Sequence, residues 1–404
     1  MTQTPQDAVN QARDLLRRYP ILDGHNDLPW TLRVAPEVAV DTTDLAGPVP
    51  AIQTDWPRMA RGGVGAQFWS VYVSADLAGE TAVTTTLEQI DLVHELIRRY
   101  PDHLELALTA DDVDRIAATG KVASLIGAEG GHSMGSSLGT LRALYALGVR
   151  YMTLTHNRNL PWADSATDDP GVGGLTAFGR EVVREMQRIG MLVDLSHVSP
   201  DTMRDALDTA EGPILFSHSS ALALCDHPRN VPDNILARLP GNGGTCMVNF
   251  VPMFISQACR DWMRDFSEDR KRRGLDDKNV AGRGQVLAER AAWEAEHPKP
   301  RVTLAEVADH IEHVREVAGV DHVGIGSDFD GVDWLPEGLE DVSTYPALIA
   351  ELQRRGWSDT DCGKLASRNI VRTIHDAEAT ARGISDRRGP SRKGIKDLDS
   401  AASD

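Results

Sequence analysis

The chain has 404 residues, 41% of them hydrophobic and 25% charged, and a formal net charge of −18. That length can bury a large core without disulfide or metal staples. The negative balance excludes the clustered positive surface that a nucleic-acid partner needs. Taken in chain order, the segment up to Pro20 is polar and helical in pattern, with no apolar signal core. Eight short apolar, β-branched runs follow: Ile21–Asn26, Ala66–Val73, Ala123–Ala128, Tyr151–Thr155, Met191–Ser196, Pro213–Ser217, Thr245–Phe250 and His322–Gly326. Near-continuous apolarity suits parallel strands covered on both faces. Amphipathic stretches lie between them, at Leu87–Tyr100, Leu138–Leu147, Ala177–Ile189 and Ser199–Ala210. Strand then helix, repeated, predicts an α/β fold, either a closed barrel or a doubly wound sheet.

The positions of the reactive residue types decide between these. His25, Asp27, Glu129, His156, His197, His218 and Asp328 each stand at, or just past, the C-terminal end of an apolar run. A barrel gathers all its strand ends at one mouth, whereas an open sheet spreads them along an edge. A (β/α)8 TIM barrel with insertions is therefore expected. It would form one domain over residues 1–376, with a polar insertion at 257–300 and a flexible tail at 377–404. Cys225, Cys246, Cys259 and Cys362 form no C-x-x-C pair, so neither a disulfide framework nor a thiolate zinc site is expected. No apolar run approaches the ~20 residues that span a bilayer, so no membrane partner is expected and a cytoplasmic location is.

In DGHNDLPW, His25 and Asp27 are two apart at a strand end, a pairing that serves either a zinc site or a turn and helix cap. GAEGGHS sets Glu129 between glycines, as a helix cap, a loop ion pair, or a carboxylate bridging two cations about 3.5–4 Å apart. VDLSHVS and ILFSHSS end consecutive strands alike and present His197 and His218 as a matched pair. With His25, Asp27 and Glu129 they make five ligands, enough for two metals sharing the glutamate. GIGSDFDG adds Asp328 as the proton carrier, preferred over Asp330 because it lies nearer the strand end. His156, in LTHNRN, is placed to stabilise an oxyanion. Arg229 and Asn230, in HPRN, are candidates for a substrate carboxylate, with a surface ion pair as the alternative for Arg229.

Together the motifs DGHND, GAEGG, LTHN, DLSH, SHS, RN and GIGSDFDG resemble the membrane (renal) dipeptidase family, a branch of the amidohydrolase superfamily, from about Leu22 to Arg372. The resemblance implies two Zn2+ ions, one held by His25 and Asp27 and the other by His197 and His218, bridged by Glu129 and a hydroxide. It further implies that His156 polarises the scissile carbonyl, Asp328 moves the proton and Arg229 binds the substrate carboxylate. Dipeptides, including those with a C-terminal D-residue, would be the small-molecule substrates. The secretion and anchoring signals of animal members are not seen, so the chain resembles a bacterial cytoplasmic relative. An N-acyl-amino-acid hydrolase, a lactonase, a β-lactam hydrolase and a catalytically inactive metal-binding protein are the competing readings. A homodimer is left open.

Overall fold

The computed structural model describes residues 4–275 and 283–399. Nine parallel strands form one sheet: β1 (Ile21–Asn26), β2 (Val64–Ser70), β3 (Leu104–Leu106), β4 (Val122–Ala128), β5 (Val149–Thr153), β6 (Leu192–Asp194), β7 (Ile214–Phe216), β8 (Thr245–Val248) and β9 (Val323–Ile325). The order is β2-β1-β9-β8-β7-β6-β5-β4-β3, and an additional β2–β4 pairing closes the ring. Eight strands thus make the barrel, and they are the eight apolar runs of the sequence. The short β3, which the sequence reading passes over, pairs with Val122–Ser124 before β5 joins β4 at Ile126.

Every residue of β1, β2 and β4 is buried, as continuous apolar runs require. Leu22, Phe68, Leu125, Tyr151, Leu192, Leu215 and Met247 pack together in one cluster with residues of the helices Ala110–Ala117 and Asn369–Ser385. The larger core lies between the sheet and the surrounding helices. Two glycines of the barrel crowd the Ser217 carbonyl. A Cβ on Gly24 would lie 2.4 Å from the Ser217 carbonyl oxygen, and one on Gly326 would lie 1.9 Å from the same atom. Bare backbone there lets β1, β9 and the end of β7 approach one another.

The expected insertion contains the helices Gln257–Arg272 and Arg283–Glu296, joined by the Trp262 Nε1–His297 carbonyl bond (2.8 Å) and the Arg270–Glu289 ion pair (2.9 Å). The expected flexible tail, 377–404, is corrected up to Asp399; residues 400–404 lie outside the described residues. The helix Asn369–Ser385 runs through that boundary with Ala377, Ala381 and Ile384 buried. Arg388 then pairs with Glu181, and Asp399 accepts from Thr176 Oγ1 (2.8 Å) and Phe178 N (2.9 Å) at the start of the helix Ala177–Ile189. Three apolar residues spaced along one helix face were too sparse a pattern to read. Among the described residues no helix is long and apolar enough to cross a membrane.

Candidate metal centre and substrate cavity

The strand ends open into a cavity of about 680 Å³ whose wall includes Asp27, Glu129, His156, His197, Arg229 and Asp328. His25 and His218 are buried behind it, their rings 3.9 Å apart between centroids. Glu129 stands at the centre. Its Oε1 lies 3.0 Å from His197 Nε2, 3.5 Å from His218 Nε2 and 3.6 Å from His156 Nε2; its Oε2 lies 3.5 Å from His25 Nε2. Burial alone would raise the Glu129 carboxyl, but the imidazoles around it, His25 foremost, hold it well below the usual range. Three sets of side chains have ligand atoms close enough to share a cation: His25 with Glu129 and His218, Glu129 with His156 and His197, and His25 with Asp27 and Asp328.

Each buried imidazole is held from behind. The Tyr151 hydroxyl stands 2.8 Å from His25 Nδ1 and 3.3 Å from the Gly24 carbonyl. The Asn157 amide oxygen accepts from His197 Nδ1 at 3.2 Å. Ser217 donates to Asp194 at 2.7 Å and accepts from His218 Nδ1 at 2.8 Å. All three rings are thus partnered at Nδ1 from behind and turn Nε2 inward, the orientation of a metal-ligating histidine. His197 Nε2 and His218 Nε2 stand 3.1 Å apart in this way, two lone pairs facing each other. Buried His25 Nε2 and Asp27 Oδ1 have no hydrogen-bond partner among the described residues. Buried polar atoms are rarely left so, and converging orphaned acceptors fit cations.

The capping alternatives for the two carboxylates are removed. Asp27 precedes the helix Leu28–Val34 but makes no side-chain cap bond. Glu129 precedes Gly130, the cap of the short helix Gly131–Met134, which has no side-chain cap bond, and accepts instead from Ser70 Oγ at 3.2 Å. Asp328 and Asp330, both with φ near +65° (69° and 64°), turn to different tasks. Asp328 faces the cavity, where burial pushes its carboxyl up to about 7 against the pull of His25. Asp330 exchanges hydrogen bonds with Gln53, whose N donates to Oδ1 at 2.7 Å, and so ties down a neighbouring loop.

Arg229 is buried and lines the cavity. Its Nη groups reach only Ser219 Oγ (3.4 Å) and the His218 carbonyl (3.3 Å), and its Nε has no partner among the described residues. Burial lowers it to about 10, which leaves it charged. A surface ion pair is thus excluded. Asn230 is the correction: its amide nitrogen is spent on the Cys225 (2.8 Å) and Phe254 (2.7 Å) carbonyls, and it is absent from the cavity wall. The loop turns between the two neighbours and sends them in different directions. His132 bonds the Val73 carbonyl at 3.1 Å, a loop contact. Trp69 and Trp162 are core, whereas Trp30 lines the cavity edge-on to Tyr72 at 4.8 Å. Tyr72, His227 and Phe254 are cavity residues that the sequence reading missed. Only Tyr72 carried a usable signal, since it lies near the end of an expected strand.

The family described as membrane dipeptidase (peptidase family M19) matches residues 9–388. Over 383 residues the chain is 39% identical to the dipeptidase verJ of Clonostachys rogersoniana, covering 92% of this chain and 88% of that one. It is 40% identical over 377 residues to dipeptidase 3 of Macaca fascicularis, covering 92% and 68% respectively. The fold is shared with the probable dipeptidase PvdM from Pseudomonas aeruginosa, at a TM-score of 0.82 and 24% identity over 94% of this chain and 100% of that one. It is shared too with a metallopeptidase from Rhodobacter sphaeroides liganded with a phosphinate mimic of the dipeptide L-Ala-D-Ala, at 0.72 and 23% over 89% and 99%. A match spanning nearly the whole folded chain, in a closed barrel whose strand ends converge on one carboxylate, has one reading: the chain belongs to the membrane dipeptidase family, peptidase family M19.

Proposed function

We propose that the chain is a binuclear zinc dipeptidase that hydrolyses the peptide bond of dipeptides and accepts a D-residue at the C-terminal position. His25 and Asp27 would hold one ion and His197 and His218 the other, with Glu129 shared between them. This nitrogen and oxygen set suits zinc. Bound there, the two ions supply Lewis acidity and an activated water.

The remaining work falls to the chain's own side chains. Asp328, placed where its carboxyl can exchange a proton, would take one from the attacking water and deliver it to the leaving amine. His156 is held down to about 4 by burial and stays neutral, so it would donate an N–H to the carbonyl oxygen as charge develops there. Arg229 would clamp the substrate's terminal carboxylate with its planar fork.

The observation that carries the reading is Arg229, a buried cation with an unused Nε, in the same cavity as the converging ligand atoms. A buried charge of that kind calls for an anion. The dipeptide mimic held by the Rhodobacter sphaeroides relative supports both the substrate class and the D-residue.

The test is kcat/KM for matched L-L dipeptides, L-D dipeptides, dipeptide amides, tripeptides, N-acyl amino acids and lactones, with zinc, for the parent and Arg229→Ala. Free dipeptides of both kinds should lead, and Arg229→Ala should cost roughly 10–100-fold on acids alone, the range of a hydrogen bond to a charged group. Equal rates on acid and amide would remove Arg229 from the reading. Refusal of L-D dipeptides would remove the D-residue, and a lead for lactones would replace the substrate class.

A further inference from the structure

The loop Cys225–Asn230, which delivers Arg229 to the cavity, delivers a second side chain with it. His227 accepts at Nδ1 from the Arg229 backbone N–H at 3.2 Å. That nitrogen's lone pair is therefore used, and the ring proton sits on Nε2, at the opposite edge of the imidazole. The ring is packed on Phe254, 4.4 Å between centroids and tilted 39°. The Arg229 guanidinium lies 5.3 Å from the centroid of the same Phe254 ring. One aromatic side chain thus orients both residues, and all three line the cavity.

His310, by contrast, spends both ring nitrogens on backbone, accepting from Ala221 N at 3.0 Å and donating to the Ile255 carbonyl at 2.9 Å. His227 spends one, and among the described residues its Nε2 makes no hydrogen bond. Burial, aided by the Arg229 charge, holds the imidazole down to about 3, so it is a neutral donor across the working range. A carboxylate offers about four lone-pair sites, and a guanidinium fork fills two of them.

We infer that His227 is a second donor for the substrate carboxylate, its Nε2–H acting beside the Arg229 fork. The inference rests on the reading of Arg229 as the carboxylate clamp. It adds a residue that the HPRN motif suggests only as a neighbour of the arginine.

His227→Asn separates the two tasks of the side chain. Asparagine can accept from the backbone N–H two residues on, which preserves the turn, and it lacks the far-edge donor. His227→Phe, which keeps the stack on Phe254, is the second variant. With zinc content measured and unchanged, both should raise KM for dipeptide acids about tenfold, the worth of one charge-assisted hydrogen bond. The kcat should stay within about twofold and dipeptide amides should be unaffected. An unchanged KM in both variants, or equal losses on acids and amides, would overturn the assignment and leave His227 as a loop element. Arg229→Ala, run in parallel, keeps the outcomes apart. If it fails to separate acids from amides, the clamp itself is wrong; if it separates them while His227→Asn does not, only His227 is removed.

Discussion

Asp194 sets which nitrogen of His218 carries the proton, and it does so through one hydroxyl. By taking the Ser217 proton at 2.7 Å, the carboxylate leaves that oxygen able only to accept from His218 Nδ1. Ser217→Ala should therefore weaken metal binding while the ligands themselves remain. A loss of about 10–100-fold is expected, as for other residues that orient a ligating histidine. Competition titration with a chelating dye reads this directly, and parental affinity in Ser217→Ala would show that the tautomer needs no such support.

Glu129 lies within 3.6 Å of all four histidines of the site. Glu129→Ala should empty both metal positions, whereas Asp27→Ala should leave one largely filled. Metal analysis after exhaustive dialysis should give close to two zinc ions for the parent, fewer than one for Glu129→Ala and about one for Asp27→Ala. A Glu129→Ala protein that kept two would end the bridging assignment.

Asp328 and Asp330 should fail differently. Asp328→Asn should retain fold and metal and lose roughly 10²–10⁴-fold in kcat, the usual cost of lost proton transfer. Asp330→Asn should act on stability, because its carboxylate accepts the Gln53 N–H at 2.7 Å and its own N–H donates to Gln53 Oε1 at 2.6 Å. Thermal unfolding beside kcat for the two variants tests the division. A crippled kcat in Asp330→Asn with an unchanged Tm would reverse the roles.

His310 should make stability depend on pH. Its Nδ1 must accept from Ala221 N, which a protonated ring cannot do, and burial holds its pKa down to about 4. Above pH ~6.5 the ring is neutral whether folded or unfolded and contributes nothing to the pH dependence. Between that value and about 4 only the unfolded chain takes the proton, so stability falls with pH by at most about 3 kcal/mol. Urea unfolding at pH 7 and pH 5 should show a larger drop for the parent than for His310→Gln, which is less stable at pH 7 but has no ring to titrate. Equal drops would remove His310 as the source.

The barrel and the gathering of reactive side chains at its mouth were legible because both are written in the polarity of strands. A parallel strand buried on both faces is a continuous apolar run, and a polar residue at its end has nowhere to go but the mouth. The residues behind the ligands were hidden for the same reason. Tyr151 sits in the body of an expected strand, where its phenol passes for core until ring closure brings His25 to within 2.8 Å. Asp194 and Ser217 read as ordinary strand-end polar residues, and their relay exists only because β6 and β7 are neighbours. His227 and Phe254 come from loops, whose direction no periodicity encodes. Asn230 shows the converse, since a residue adjacent to Arg229 in sequence points away from the cavity to the Cys225 and Phe254 carbonyls.

The two glycines that meet the Ser217 carbonyl act as a caliper for the whole centre. His25 leaves β1 immediately after Gly24, and His218 follows Ser217, so the gap between these rings is measured by backbone against backbone. A methyl group at position 24 or 326 would press first on the Ser217 carbonyl, one residue before His218. Donors around the cluster can be exchanged for other donors, because chemistry offers substitutes. Nothing is smaller than a hydrogen, so the separation between the two halves of the site has no comparable freedom to drift.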